Sequence, residues 1–144
     1  MKRAIALVVL LAVSVAVAAC SASYSTANIP NAVLAKDAQG DNFDPVDPTS
    51  TFPTDQPVIH LIVTLKNAPS DTTVKTVWIA VDVGDAAPAN TEIDQTEITT
   101  HGSGNVDFTL SQPSSGAWPV GKYKVDIYLN GKLDKTVEYT IAQS

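Results

Sequence analysis

Few side chains in this 144-residue sequence are equipped for chemistry, and their spacing limits what that chemistry could be. The only thiol is Cys20, and the only imidazoles are His60 and His101. One cysteine cannot make an internal disulfide, and it excludes zinc or iron–sulfur centres built mainly on thiolates. Serines are plentiful, but there is no Gly-x-Ser-x-Gly elbow, and His60 falls on the polar face of a strand while His101 falls in a turn before Gly102. A small hydrolase is therefore the weakest functional reading. Asp37, Asp41, Asp44 and Asp47 form an acidic series, yet it lacks the alternating acidic pattern, the placed glycine and the closing Glu of a calcium loop. The expectation is no catalytic residue, no metal site and no cofactor. Trp118, beside Pro119, is the remaining binding candidate: exposed on a loop, its ring would stack on a sugar or a partner protein. The competing reading is that it folds back to cap the end of the domain.

Cys20 stands at the end of a leader. Lys2 and Arg3 precede an uncharged run of Ala, Val, Leu and Ile beginning at Ala4, the order of charge and hydrophobicity found in an export signal. The run closes with Val17-Ala18-Ala19-Cys20, which resembles the lipobox of bacterial lipoproteins. That resemblance implies cleavage before Cys20, acylation of its thiol, and a mature N-terminus held to the membrane by acyl chains. Ser21, in place of an Asp, implies by the same resemblance the outer membrane, facing the periplasm. Loss of the leader leaves seven basic residues, all lysine, against 15 acidic ones, a formal net charge of −8. Tight phosphate recognition relies on clustered Lys and Arg, so a nucleic-acid partner is excluded. The same acidity disfavours adhesion to anionic lipid and leaves the acyl chains as the attachment.

The elements that would position any site begin late in the chain. Residues 20–56 are polar and rich in Pro, Asp, Ser and Thr, with isolated Phe43 and Phe52. They read as a flexible linker after a signal segment 1–19, a tether of ~30 residues able to hold a domain several nanometres from the bilayer at ~3.3 Å per residue. From residue 57 to 144 the texture changes to short Val-, Ile-, Thr- and Tyr-rich runs separated by Gly, Pro, Asn and Asp, which suits strands and turns. Val58–Lys66 alternates cleanly, with Ile59, Leu61, Val63 and Leu65 on one face. Val74–Val83 is apolar on both faces around Trp78, as in a central strand. Glu92–Thr100 carries Ile93 and Ile98 at opposite parity, which predicts a bulge or an edge. Val106, Phe108 and Leu110 make a half-buried strand. In the last pair, Tyr123, Val125 and Ile127 and then Leu133, Val137 and Tyr139 are all odd-numbered. A three-residue loop pairing Tyr128 with Lys132 would keep both rows on one face, giving Ile127 opposite Leu133 and Tyr123 opposite Val137.

Strands of this kind bury their rows in a small antiparallel, all-β sandwich. Trp78 in the second run, and Gly121-x-Tyr123-x-Val125, are similar to the core tryptophan and tyrosine corner of the immunoglobulin-like fold, with Val125 where a cysteine would stand. The stretch from Trp118 to Lys132, followed by Thr136-Val137-Glu138-Tyr139-Thr140-Ile141, resembles the closing hairpin of uncharacterised immunoglobulin-like domains of bacterial lipoproteins, and Phe52-Pro53-x-Asp55 resembles their opening. The resemblance implies a fold and an envelope setting and no activity. The expected function is thus a non-enzymatic binding or scaffold module, with the membrane and an unknown envelope protein or glycan as partners. Carbohydrate or peptidoglycan recognition through Trp118 is the alternative.

Overall fold

The row Ile59, Leu61, Val63 and Leu65 is buried throughout, and a one-sided apolar strand needs a second layer to cover it. The computed structural model describes residues 25–144; the signal segment 1–19 and Cys20 lie outside the described residues. Strands β1 (Asn28–Gln39), β2 (Asp44–Pro48), β4 (Val58–Lys66) and β7 (Gly104–Ser111) form one sheet, ordered β2-β1-β4-β7. Facing it are β3 (Thr51–Pro53), β5 (Thr73–Asp82), β6 (Thr91–Thr99), β8 (Gly121–Leu129) and β9 (Lys132–Ala142), ordered β3-β9-β8-β5-β6. Every pairing is antiparallel except β3 with β9. Among the described residues the helical structure is one 3-10 turn, Gly84–Ala86.

The linker expected over 20–56 is corrected by this topology, because residues 28–53 supply three strands. Ile29, Leu34 and Phe52 are core residues. The prolines that argued against strands sit where they cost no ladder bond. Pro30 lies at a register shift between Asn28 and Asn31, in a stretch of β1 flanked by β4 alone, while Pro45 and Pro48 occupy the edge strand β2. The N-terminal segment also changes sheets, with β1 in the first and β3 in the second. The sandwich is therefore begun well before residue 57, and the chain is already tied at Thr26, whose Oγ1 donates to the Asn67 carbonyl (3.0 Å).

The β1–β2 hairpin folds back over the outer face of its own sheet. His60 and Asn105 point away from the core, yet His60 Nε2 lies 3.7 Å from Asp37 and Asn105 Nδ2 donates to the Asn42 carbonyl (2.8 Å). Such a cover explains why Ile62, on this outward face, is only 3% exposed. The Asp37 to Asp47 series belongs to this hairpin and not to a solvated linker.

At the last hairpin the structure differs from the expected three-residue loop. Leu129 pairs with Lys132 across Asn130-Gly131, both with positive φ, a two-residue turn matching the twist of the strands. The parity conflict is resolved further along, by a register shift between Ile127 and Tyr128 that leaves Asp134 unpaired, so Val125 opposes Val137 and Tyr123 opposes Tyr139. Leu133 lies before the bulge and is 52% exposed. In β6 the opposite parity of Ile93 and Ile98 has both expected causes: the strand is an edge, and Ile93 is skipped between the Trp78–Asp94 and Ile79–Glu92 pairs.

Trp78 is buried opposite Val125, and the Tyr123 hydroxyl donates to the Pro119 carbonyl four residues upstream (2.6 Å), the hydrogen bond that defines a tyrosine corner. Gly121 permits it, since a Cβ there would overlap the Asp82 carbonyl oxygen and lie 2.9 Å from Val83 Cα.

Two outcomes are expected. A fragment of residues 57–144 should remain unfolded by far-ultraviolet circular dichroism while 25–144 melts cooperatively, because the shorter chain lacks Ile29, Leu34 and Phe52 and exposes the edges of β4 and β9. Gly121→Ala should lower unfolding free energy by about 2–4 kcal/mol in urea titrations, through backbone overlap that no side-chain rotation relieves.

Candidate functional site

Trp118 lies in the loop between β7 and β8, and the structure buries it at 4% exposure. Its backbone N–H donates to the Thr54 carbonyl (2.9 Å), and its indole Nε1 donates to the Gln56 carbonyl (2.7 Å). Gln112 Nε2 adds bonds to the carbonyls of Thr54 (3.2 Å) and Gly116 (2.6 Å). Gln56, itself buried, donates from Nε2 to the carbonyls of Lys36 (3.0 Å) and Val58 (2.7 Å). The ring thus caps the end of the sandwich, edge-on to Tyr123 with centroids 6.5 Å apart. At that burial little of the ring is left for stacking, and it contributes to the wall of an apolar groove of about 290 Å³ with Val83, Ala87, Ile93, Pro113 and Pro119.

Behind the groove stand two tyrosines, Tyr123 and Tyr139, stacked at 5.2 Å. Burial pushes the Tyr123 phenol up to about 12. Tyr139 is raised further, first by burial and then by Tyr123 beside it, and its hydroxyl has no hydrogen-bond partner. These groups stay neutral across any physiological pH and serve packing.

The sheet of β4 and β7 brings together a cluster that the sequence did not reveal. Asp107 Oδ2 lies 2.8 Å from His60 Nδ1, and Asp37 lies 3.7 Å from Nε2. Only the Asp107 contact is within hydrogen-bond distance, and no hydroxyl is hydrogen-bonded to either ring nitrogen, so the nucleophile of a Ser–His–Asp relay is not in place beside His60. Next to it on the same face, Thr64 Oγ1 donates to Asn105 Oδ1 (2.8 Å). His101 is exposed in the loop between β6 and β7, near Ser103, and is not joined to His60. Among the described residues, no group of three or more His, Cys, Asp or Glu is arranged to hold a metal ion. On the outer face of the other sheet, Asp126 accepts from Thr136 Oγ1 (2.7 Å) and lies 3.4 Å from Lys124 Nζ. Lys75 sits 4.6 Å over the Tyr128 ring. The Thr136–Asp126 and Lys75–Tyr128 pairs cross neighbouring strands, while Lys124 and Asp126 lie along one strand, and together they make a polar surface.

No protein-family model matches the chain, and no curated protein matches it. Solved structures do. An immunoglobulin-like protein from Pseudomonas aeruginosa superposes with a TM-score of 0.53 at 10% sequence identity, covering 81% of this chain and 96% of that one. The chain folds as an immunoglobulin-like sandwich. A β-D-glucoside glucohydrolase from Trichoderma reesei aligns at a TM-score of 0.47 and 14% identity, over 83% of this chain but only 19% of that one. A likeness to so small a part of a large enzyme says nothing of activity here.

Trp118→Ala should cost about 3–5 kcal/mol of stability in urea titrations, because it empties a buried site and orphans the Gln56 carbonyl. Alkaline pH should also destabilise the domain. Tyrosines of the unfolded chain ionise near the ordinary 10.0, whereas Tyr123 holds its proton to about 12. The tyrosine contribution is therefore whole below pH 10 and declines as pH rises through that interval. Urea midpoints measured across it should fall for the natural chain and fall less for Tyr139→Phe.

Proposed function

We propose that the protein is a lipid-anchored, non-enzymatic binding or scaffold module of a bacterial cell envelope, held in the outer membrane and facing the periplasm. The observation that carries this reading is the succession of a basic start, an apolar run and Val17-Ala18-Ala19-Cys20, followed closely by an immunoglobulin-like sandwich. Acylated Cys20 would fix the location, and the sandwich would present its surfaces to an envelope protein. A non-catalytic role is consistent with a fold in which His60 is hydrogen-bonded to Asp107 with no hydroxyl beside it and no metal cluster occurs among the described residues.

Strand edges are the natural contact surface for such a module. β6 closes one sheet with most of its residues exposed, and its Glu92, Asp94 and Glu97 keep it from pairing indiscriminately. Carbohydrate stacking on Trp118 loses its support, since the ring is used internally.

Metabolic labelling with a fatty-acid analogue should mark the wild-type protein and miss Cys20→Ser. Crosslinking in intact cells, followed by mass spectrometry, should capture an envelope protein with the wild type and lose it with the unanchored variant. An unlabelled wild-type protein would overturn the reading.

A further inference from the structure

The corrected N-terminal boundary shortens the leash between the acylated residue and the fold. Thr26 is bonded to Asn67 and Asn28 pairs with Lys66, so only five residues, and thus six Cα-to-Cα steps, separate Cys20 from the first tied position. Fully extended they span about 20 Å, and as a flexible chain about 13 Å. The point of entry lies at one particular end of the sandwich. There the β4–β5, β6–β7 and β8–β9 connections are joined by Thr100 N–H to the Thr72 carbonyl (2.8 Å) and Asn130 N–H to the Thr73 carbonyl (2.9 Å), and by Ala68 N–H to Ser103 Oγ (3.0 Å). The folded-back β1–β2 hairpin brings its tip to the same end through Asn42 and Asn105. Trp118, its groove and the C-terminal residues of β9 occupy the opposite end.

Ile93 and Val120 are exposed at the Trp118 end, and two other large apolar side chains are exposed at the entry end, where the leash is attached. Phe43, 41% exposed, follows Asn42 at the hairpin tip, and Leu133, 52% exposed, follows the Asn130-Gly131 turn. Lys66 and Lys132 are exposed at the same end. Exposed apolar side chains close to the anchor suit the boundary between headgroups and acyl chains, although Asp41, Asp44 and Asp134 adjoin them.

We propose that the entry end stands on the bilayer surface, confined by the five-residue leash and seated by Phe43 and Leu133, so that the Trp118 end points away from the membrane. This rests on acylation of Cys20.

The test uses the acylated mature protein in vesicles of phosphatidylethanolamine and phosphatidylglycerol containing a nitroxide-labelled lipid. An environment-sensitive fluorophore is attached at Asp71→Cys or at Ser115→Cys, both exposed and at opposite ends, while intact mass reports whether Cys20 is acylated. Quenching at position 71 should exceed that at 115 by at least about threefold, because contact quenching fades within a few ångströms of the interface. Phe43→Ser combined with Leu133→Ser should halve, roughly, the quenching at 71 by removing the apolar seat. In acylated protein, equal quenching at the two positions, or stronger quenching at 115, overturns the orientation. Quenching at 71 that ignores the double substitution overturns the seating. An unmodified Cys20 overturns the lipoprotein reading beneath them.

Discussion

Tyr139 is the side chain on which the aromatic cluster of the five-stranded sheet is centred. Phe52 from β3 and Trp78 from β5 meet it edge-on at 5.9 and 6.1 Å, and Tyr123 from β8 stacks on it at 5.2 Å. A disulfide-bonded immunoglobulin domain ties its sheets covalently; this chain has a single cysteine, and its sheets are held by one apolar core to which this cluster contributes large buried aromatic area. The arrangement tolerates one uncompensated polar atom, the Tyr139 hydroxyl, which burial alone would penalise. It also explains why β3, three residues long, matters: it delivers Phe52 to the cluster by pairing with β9.

The strands from residue 58 onward were legible because their apolar residues alternate. Val58–Lys66 has the same bounds in the sequence reading and in the structure, and Trp78, Val125 and the tyrosine corner sit where the pattern put them. What escaped was structure that depends on partners distant in sequence. Ile29, Leu34 and Phe52 follow no period of two, and their burial comes from the bulge near Pro30 and from the crossing of β1 and β3 to different sheets. Leu133 was assigned to the core on parity; a bulge two residues beyond the turn, which no local residue announces, decides otherwise.

The candidate sites were legible only in part. Trp118 was identifiable as a loop tryptophan, but the choice between stacking platform and cap turned on a carbonyl at Gln56, 62 residues away. The contacts of His60 were beyond reach for a similar reason. Asp107 is on a strand 47 residues further on, and Asp37 arrives through a hairpin that folds over its own sheet. Polar residues on an outward face read as solvated until something lies across them.

The crossing of the N-terminal segment between sheets has a mechanical meaning. Residue 25 enters at one end of the sandwich, and β9 leaves at the other, with Pro53 beside Ala142. Tension applied between the two termini would run along the strands and not across them. The parallel β3–β9 ladder and the β1–β4 ladder would then be loaded in shear, with their hydrogen bonds sharing the force together instead of opening one by one. A domain threaded in this way is built to resist being pulled apart lengthwise.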